Sequence, residues 1–551
     1  MPLFTRPISA DTLHPQQRAL AQLITMPIKE KKNNNIHVAN ILSKYDIKLY
    51  QKIFTAQKSG LWKKADSHIK RVNNTILMGH VMAQRYLHPT KYRSKYSELK
   101  NWMKLYSDHP DARRLYKLAL RRKPKNWKPP THPRKTYKSA LINKKYTKTT
   151  IKQHFEKKSA HNRRIGRKLK KQFSRTLRKG HTLVAKNFLN SKNFTSRLSR
   201  VEIDRLRARL AHAYFIDKRD QWAIMWAKKA IDRSGKYIPE AYWTAGLANW
   251  RLKNKEKSRD YFSKAALIAF DDNWLHSAAA FWASRSFLAT GKPEKVIQYL
   301  EIAAQHPRTF YGIIAANMLG KKNPFDWKRP GLKNDHIREI LDTSNGKRAI
   351  ALMQVNEFKR AERELLILIN SAKDQSVLFA ILDIVILKKM ASLSMLIDDK
   401  LFPNGKGFDR AAYPIPIWEP THGFKIDRAL IYALMRQESK FNPKAKSWAG
   451  ARGLMQLMPR TASFIARDQQ YHLNKKNKLY GLRVNLELGQ KYLKILLNDP
   501  KIGNDLFLLA VAWNGGPGNL NKWLRRNSYT KDPLFLLRAF LHEKLGISLR
   551  G

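Results

Sequence analysis

Three short polar turns interrupt the chain at a nearly constant interval and set the strongest limit on its fold. They begin at Lys218, Lys253 and Gly291, so successive turns lie 35 and 38 residues apart. Each turn follows a helical segment in which alanines alternate with large aromatic residues, as in residues 241–250. Alternating small and large side chains let neighbouring helices interlock, and a period in the mid-thirties is typical of stacked helical hairpins. Because strand signals are sparse, the pattern predicts an all-α chain containing a helical solenoid.

The net charge indicates what kind of partner the chain attracts. Its 551 residues include 108 Lys and Arg against 41 Asp and Glu, a formal charge of +67, while 43% are hydrophobic. That apolar fraction is enough for packed cores. The charge predicts attraction to polyanions such as nucleic acid, an anionic membrane or an acidic cell-wall polymer. A solvated basic surface without any partner is the other interpretation that the charge allows.

The absence of cysteine and of long apolar runs excludes several classes of protein. Without cysteine there are no disulfides, no cysteine nucleophile and no cysteine-ligated zinc. The longest apolar run, residues 377–387, is interrupted by Asp383 and is shorter than the roughly 20 residues of a membrane-spanning helix. The amino terminus lacks the charged start and uninterrupted apolar core of a secretory signal. The sequence therefore predicts no transmembrane segment and contains no readable export signal.

Shifts in composition divide the chain into five segments. Residues 121–190 are rich in lysine and arginine and contain a single acidic residue, Glu156. Like charges at this density repel one another and favour an extended chain. Helix breakers cluster again near residues 403–424. We predict a flexible amino-terminal segment (1–35), a helical region (36–122), a basic linker or insertion (123–160), a helical solenoid (161–410) and a helix-rich carboxyl-terminal domain (411–551).

A helix that leads to Glu438 carries the strongest candidate for acid–base chemistry. Asp427 can cap this helix, and apolar residues recur at i, i+3, i+4 and i+7 up to Glu438. The carboxyl group therefore stands at the end of the apolar face, where desolvation disfavours its charged form and raises its pKa. The competing interpretation is an ordinary glutamate at a helix end that reaches solvent.

Two glycine-containing segments follow this helix. Gly450 and Gly453 would let the backbone turn sharply or approach a ligand closely. Residues 512–518 end a later helix in a glycine-rich turn, which an ordinary helix cap would also explain. No acidic residue lies between Glu438 and Asp468. A glycosidase that uses two carboxylates needs the second about 5 to 9.5 Å away, so a partner for Glu438 would have to come from a distant segment.

Four motifs in register resemble the catalytic domain of soluble lytic murein transglycosylases. They are Glu438-Ser439, residues 450–459 (GARGLMQLMP), residues 485–493 (NLELGQKYL) and residues 512–515 (AWNG). Each motif alone is modest evidence, whereas four in this order and spacing are specific. The likeness covers roughly residues 411–530. It implies an α-rich, lysozyme-like catalytic domain that follows a superhelix of tetratricopeptide-like helices.

The resemblance implies cleavage of the β-1,4 bond between N-acetylmuramic acid and N-acetylglucosamine in peptidoglycan, leaving 1,6-anhydromuramyl ends. Glu438 would act as the sole general acid and base. Neither a metal nor a cofactor is implied. The resemblance places the following residues at the substrate: Ser447, Gln456, Met458, Trp513, Asn514 and Glu543. Each polar member of this set could instead hold a backbone turn.

Two positions depart from the pattern of the family. Trp513 stands where the family usually has tyrosine, so a phenolic hydroxyl is replaced by an indole N–H that donates a hydrogen bond but cannot accept one. The Glu-Thr motif expected after the asparagine segment is not recognisable in residues 532–545, where Glu543 is the nearest candidate. Part of the glycan subsite is therefore expected to differ.

The resemblance also bears on partners and location. It implies peptidoglycan glycan strands as the partner and a periplasmic location, and it leaves room for other cell-wall enzymes as partners. Nucleic acid is not expected, because the basic runs lack the interleaved aromatic residues on which single-strand binders stack bases. The alternative that remains is a basic solenoid that binds the wall or nucleic acid and carries a degenerate catalytic domain.

Overall fold

The protein is all-α in the part that the structure describes. The computed structural model describes residues 40–134, 160–268, 272–322, 325–331, 334–372, 374–402, 407–526, 532 and 534–535. Within these ranges the only extended pairing is two isolated bridges, from Lys446 to Arg452 and from Arg452 to Leu457. The predicted all-α fold is confirmed. Residues 1–35, predicted to be flexible, and residues 135–159 of the predicted linker lie outside the described residues.

The helices before the predicted solenoid are short and lie between residues 44 and 122. They are α1 (Lys44–Lys58), α2 (Trp62–Ile69), α3 (Met78–Tyr86), α4 (Tyr96–Leu105) and α5 (Ala112–Arg122). The hydroxyl of Ser43 caps α1 by accepting a hydrogen bond from the amide of Asp46 at 3.0 Å. This interaction satisfies one of the amides that a helix start leaves without a partner.

The helices between residues 160 and 318 belong to the predicted solenoid, and from Arg200–Ile216 onward each packs against the next in the chain. They are α6 (Ala160–Arg178), α7 (Thr182–Asn190), α8 (Lys192–Thr195), α9 (Arg200–Ile216), α10 (Asp220–Ser234), α11 (Pro239–Arg251), α12 (Lys255–Leu267), α13 (Asn273–Ala289), α14 (Val296–Ala304) and α15 (Phe310–Met318). The alanine–aromatic pattern read from the sequence forms their core. Gly246 shows why small residues are needed there, since a β-carbon at this position would lie 2.6 Å from the ring of Phe262.

Two further sets of helices complete the described chain. The first set is α16 (Asn334–Leu341), α17 (Ser344–Gln354), α18 (Phe358–Ser371), α19 (Gln375–Leu387), α20 (Ala391–Leu401) and α21 (Asp409–Ala412). The second set is α22 (Arg428–Ser439), α23 (Pro459–Ala466), α24 (Leu482–Leu497), α25 (Leu506–Gly515) and α26 (Pro517–Arg526). None of the helices described is long and apolar enough to cross a bilayer.

The chain divides into two compact units, each discontinuous in sequence. The amino-terminal unit comprises Lys29–Lys145 and Asp326–Ile417. The described residues of the solenoid unit lie within Tyr146–Phe325 and Trp418–Gly551. The predicted solenoid, residues 161–410, is thus shared between the two units.

Within the solenoid unit, residues near the carboxyl terminus insert into the solenoid core. Leu534 is fully buried, and the ring of Phe535 lies 6.0 Å from that of Trp282. Asp532 accepts a hydrogen bond from the Arg285 guanidinium at 3.0 Å. Two buried apolar side chains and one ion pair therefore attach this part of the chain to the helices of the solenoid.

A buried histidine pair lies within the amino-terminal unit. The backbone amide of Asp111 donates to Nδ1 of His109 at 3.0 Å, which leaves the His109 proton on Nε2. His109 then donates to Nδ1 of His80 at 2.8 Å, and His80 donates through Nε2 to Glu364 at 2.8 Å. Arg348 binds the same carboxylate. All four ring nitrogens therefore have partners when both histidines are neutral.

This pair predicts that the amino-terminal unit loses stability in acid. Burial lowers the pKa of His109 to about 2 and holds the pKa of His80 well below its usual range. In the unfolded chain both histidines titrate near pH 6.5. The unfolded state therefore binds more protons below that pH, so stability is present above about pH 6.5 and falls as the solution becomes more acidic.

Hydrogen exchange of α3 and α18 at pH 7.5 and pH 5.5, corrected for the intrinsic effect of pH, measures this loss. Protection should fall in these two helices at the lower pH, with α24 of the solenoid unit as the internal reference. Equal protection of α3 and α18 at both pH values would contradict the prediction.

Candidate active site

The local sequence places Glu438 at the end of a capped helix. The Asp427 side chain accepts from the amide of Ala429 at 2.6 Å and so begins α22. Ile431 and Met435 are fully buried on one face, and Glu438 continues that face about one turn later. The helix ends where Lys440 adopts a left-handed conformation with φ of 49°. The expected position of Glu438 at the end of the apolar face is therefore observed.

The carboxyl group of Glu438 is half-buried and has one hydrogen-bond donor. Burial raises its pKa above the usual range, and a hydrogen bond from Trp513 partly opposes the rise. The indole Nε1 donates to Oε1 of Glu438 at 3.1 Å. Trp513 lies on α25, and its ring is 5.3 Å from that of the buried Tyr492 on α24. No other carboxylate of the described chain contributes to this pKa shift.

The indole also favours one position for the proton of Glu438. An indole N–H only donates, so Oε1 acts as an acceptor, and the carbonyl oxygen of a neutral carboxyl group accepts better than its hydroxyl oxygen. The hydrogen bond therefore favours the neutral acid with its proton on Oε2. A tyrosine hydroxyl could accept as well as donate and would not impose this choice.

Residues 445–457 form a small hairpin after the Glu438 helix. Ser447 exchanges hydrogen bonds with Ala451, since its amide donates to the Ala451 carbonyl and its hydroxyl accepts from the Ala451 amide, each at 3.0 Å. Gln456 has a positive φ of 46°, and its side-chain amide donates to the carbonyls of Gly453 at 2.8 Å and Ala445 at 3.2 Å. Both side chains thus hold the hairpin. The hydroxyl proton of Ser447 and the carbonyl oxygen of Gln456 have no hydrogen bond to another described residue.

Asn485, to which the sequence assigned no separate role, anchors this hairpin to α24. It is 1% exposed, and its carbonyl accepts from the Met455 amide at 2.8 Å. Its amide donates to the carbonyls of Arg452 and Leu479, both at 2.9 Å. One side chain therefore satisfies three buried backbone groups. The NLELG motif of the sequence contains Asn485 but does not show which backbone groups its side chain contacts.

Two glycines make this close approach possible. Gly453 has a φ of 82°, and a β-carbon there would lie 2.3 Å from both the Asn485 amide and the Leu479 carbonyl. Gly489 lets Met455 lie on α24, because a β-carbon at Gly489 would lie 2.1 Å from the Met455 sulfur. The last glycine of the GARG motif therefore allows the hairpin backbone to lie close to Asn485 and the Leu479 carbonyl.

Two further predicted site residues lie at helix ends. Met458 is 40% exposed and precedes the first residue of α23. Asn514 is half-buried in the last turn of α25, and its side-chain amide donates to the Ala510 carbonyl at 3.0 Å. Glu543 lies outside the described residues. The structure thus brings Trp513 into contact with Glu438 and places Ser447 and Gln456 together in the hairpin.

We predict that Asn485→Ala destabilises the hairpin by about 2 to 4 kcal/mol, because the buried Met455 amide and Leu479 carbonyl lose their side-chain partner and the Arg452 carbonyl keeps only the Leu457 amide. Hydrogen exchange of residues 452–457 and limited proteolysis of the full chain measure the effect. Asn498→Ala, at an exposed position just after α24, is the matched control. Equal protection of the hairpin in the two variants would contradict the anchoring role of Asn485.

Part of the chain is similar in sequence to a known protein family and to proteins of known name. Residues 416–535 match the family model described as the transglycosylase SLT domain. The soluble lytic murein transglycosylase of Salmonella typhimurium is 28% identical over 267 residues, which cover 47% of this chain and 40% of that protein. The Escherichia coli protein of the same name is 32% identical over 120 residues, covering 22% of this chain and 18% of that protein. The chain therefore aligns with less than half of the length of these relatives.

The fold likeness extends further than the sequence likeness. The crystal structure of the 70 kDa soluble lytic transglycosylase from Escherichia coli covers 91% of this chain and 94% of its own, with 16% identity and a TM-score of 0.51. This similarity shows a shared fold and supports the predicted helical superhelix followed by a lysozyme-like domain.

Proposed function

We propose that this chain, whose residues 416–535 form a transglycosylase SLT domain, is a peptidoglycan lytic transglycosylase. The observation that carries the proposal is the half-buried carboxyl group of Glu438, whose pKa is raised by burial and whose Oε1 is held by Trp513. Proteins named soluble lytic murein transglycosylases that align with this domain support the choice of substrate. The proposed bond is the β-1,4 link between N-acetylmuramic acid and N-acetylglucosamine.

In the first step Glu438 acts as a general acid. Its raised pKa increases the fraction of the group that is protonated, and the proton on Oε2 moves to the glycosidic oxygen as that bond breaks. The leaving sugar departs as a neutral alcohol. Positive charge develops at C1 and the ring oxygen of the muramyl residue, next to the carboxylate that has just formed.

In the second step the same carboxylate acts as a general base. It takes the proton from the C6 hydroxyl of the muramyl residue while that oxygen bonds to C1, which closes the 1,6-anhydro ring and restores the protonated acid. The hydroxyl belongs to the same sugar, so the reaction has the high effective concentration of an intramolecular nucleophile. The reaction consumes no water and needs no second carboxylate. In keeping with this, no other carboxylate is among the described groups that shift the pKa of Glu438.

We also propose a periplasmic location and peptidoglycan strands as the partner, since the substrate lies there. Fractionation of cells tests the location directly. Recovery of the chain only from the cytoplasm would contradict a role in wall turnover. Association with other cell-wall enzymes is a further expectation that pull-down of the full chain would test.

We predict that Glu438→Gln reduces cleavage of purified sacculi by at least about 100-fold, because it removes the only proposed proton carrier. Mass spectrometry of the products from the unmodified protein should show anhydromuramyl ends. Reducing muramyl ends would identify a hydrolase instead, and retained activity in Glu438→Gln would remove the proposed acid. Gln437→Glu, at the exposed neighbouring position, is the matched control and should leave the products unchanged.

We predict that Trp513→Phe shifts the pH dependence of cleavage. The indole hydrogen bond lowers the pKa of Glu438, so its loss raises that pKa further. Because the first step needs the protonated acid, the alkaline limb of the kcat/KM profile should move to higher pH. The profile from pH 4 to 9 is the measurement. An unchanged or more acidic limb would show that Trp513 does not tune Glu438.

A further inference from the structure

One face of the catalytic-domain hairpin gathers cations next to an exposed aromatic ring. Residues 439–467 contain six Lys and Arg and no acidic residue. Three of these cations, Lys444, Lys446 and Arg452, belong to the hairpin or its first limb. Trp448 lies at the hairpin tip and is 100% exposed.

The hairpin and one shared aromatic ring bring these side chains near one another. Lys446 and Arg452 form an antiparallel bridge, and residues directly opposite each other across such a pair project to the same side. Lys444 and Trp448 lie in turns on either side of Lys446. The two ring contacts described next bring Lys444 and Arg452 together.

The cations of this face have no anionic partner in the described chain. No carboxylate oxygen of a described residue lies within 4.0 Å of Lys444, Lys446 or Arg452. Arg452 is only 8% exposed, and its buried Nε has no hydrogen-bond partner among the residues described. Arg452 and Lys444 both approach the ring of Tyr480, with their charged groups 5.8 and 5.3 Å from its centroid. Two cations on one ring repel each other, and a bound anion would relieve that repulsion.

Trp448 is presented on a rigid turn and is not packed against the protein. The Ser447 amide donates to the Ala451 carbonyl at 3.0 Å, and the Gly450 amide donates to the Ser447 carbonyl at 3.1 Å, so the backbone on both sides of the ring is fixed. A fully exposed indole leaves a large apolar surface in water. The apolar face of a pyranose ring is a surface of the same size that stacks on such a ring.

We infer that this hairpin face, formed by Lys444, Lys446, Trp448 and Arg452, is a subsite for a saccharide unit that carries a carboxylate. Trp448 stacks on the sugar ring while the three cations bind the carboxylate. The inference rests on the proposed function and deepens it. A muramyl residue carries a carboxylate on its lactyl group where the stem peptide is absent and on the peptide where it is present, whereas N-acetylglucosamine polymers carry none. The subsite would thus select for the muramyl unit by charge as well as by shape.

The test measures binding separately from cleavage. Glycan strands without stem peptides, which retain the lactyl carboxylates, and the same strands after carbodiimide amidation are titrated calorimetrically into the full chain carrying Glu438→Gln. Adding Lys444→Gln and Lys446→Gln should weaken binding of the carboxylate-bearing strands by about fivefold at low salt, as expected for two exposed charge pairs. Binding of the amidated strands should not change.

Two further variants separate stacking from charge. Trp448→Ala should weaken binding of both strand types alike, and Trp448→Phe should recover most of the loss. Lys491→Gln with Lys494→Gln removes the same charge from exposed positions of α24 and should have no effect. The charge test uses only the two exposed lysines, so it does not depend on substituting the buried Arg452.

The subsite is overturned if the Lys444 and Lys446 variant binds both strand types as tightly as its parent, or if the α24 control weakens binding equally. It is also overturned if amidated and carboxylate-bearing strands bind with equal affinity to the parent. Failure of the proposed function would look different, since the unmodified protein would then release no anhydromuramyl products from sacculi.

Discussion

The chemistry proposed for this protein depends on one hydrogen bond between two helices. Trp513 on α25 donates a hydrogen bond to Oε1 of Glu438 at the end of α22. Glu438 lies there on the buried, apolar face of α22. Burial favours the neutral acid, and the indole favours the carboxylate. A group that must give a proton and then take one back needs both influences, because a pKa too far from neutrality in either direction would disable one of the two steps.

The hairpin and α24 hold the surroundings of this pair in place. Asn485 satisfies three backbone groups of the hairpin and the segment before α24, and Gly453 and Gly489 remove the β-carbons that would keep the two elements apart. A structural role does not exclude the predicted substrate-facing role for Gln456. Its side-chain amide donates to two backbone carbonyls of the hairpin, whereas its carbonyl oxygen has no hydrogen bond to a described residue.

How much could be read from the sequence differs between these parts. Helical spacing predicted the solenoid and the position of Glu438, because apolar periodicity reflects which face of a helix is buried. The three hydrogen bonds of Asn485 and the fixed turn around Trp448 could not be read in this way, since they depend on long-range contacts and on a hairpin of only two isolated bridges. The grouping of residues 326–417 with residues 29–145 also depends on contacts far apart in sequence, which local composition does not report.

The cations of the hairpin lie close in sequence to Glu438 but do not shift its pKa. Six cations follow Glu438 within the next 29 residues of an acid-free stretch, and cations close to a carboxylate lower its pKa and would oppose its role as an acid. Yet burial and Trp513 are the causes of the Glu438 shift, and none of these cations contributes to it. Lys444 and Arg452 are instead directed at Tyr480. The cations of the hairpin therefore do not oppose the effect of burial, which raises the pKa of Glu438.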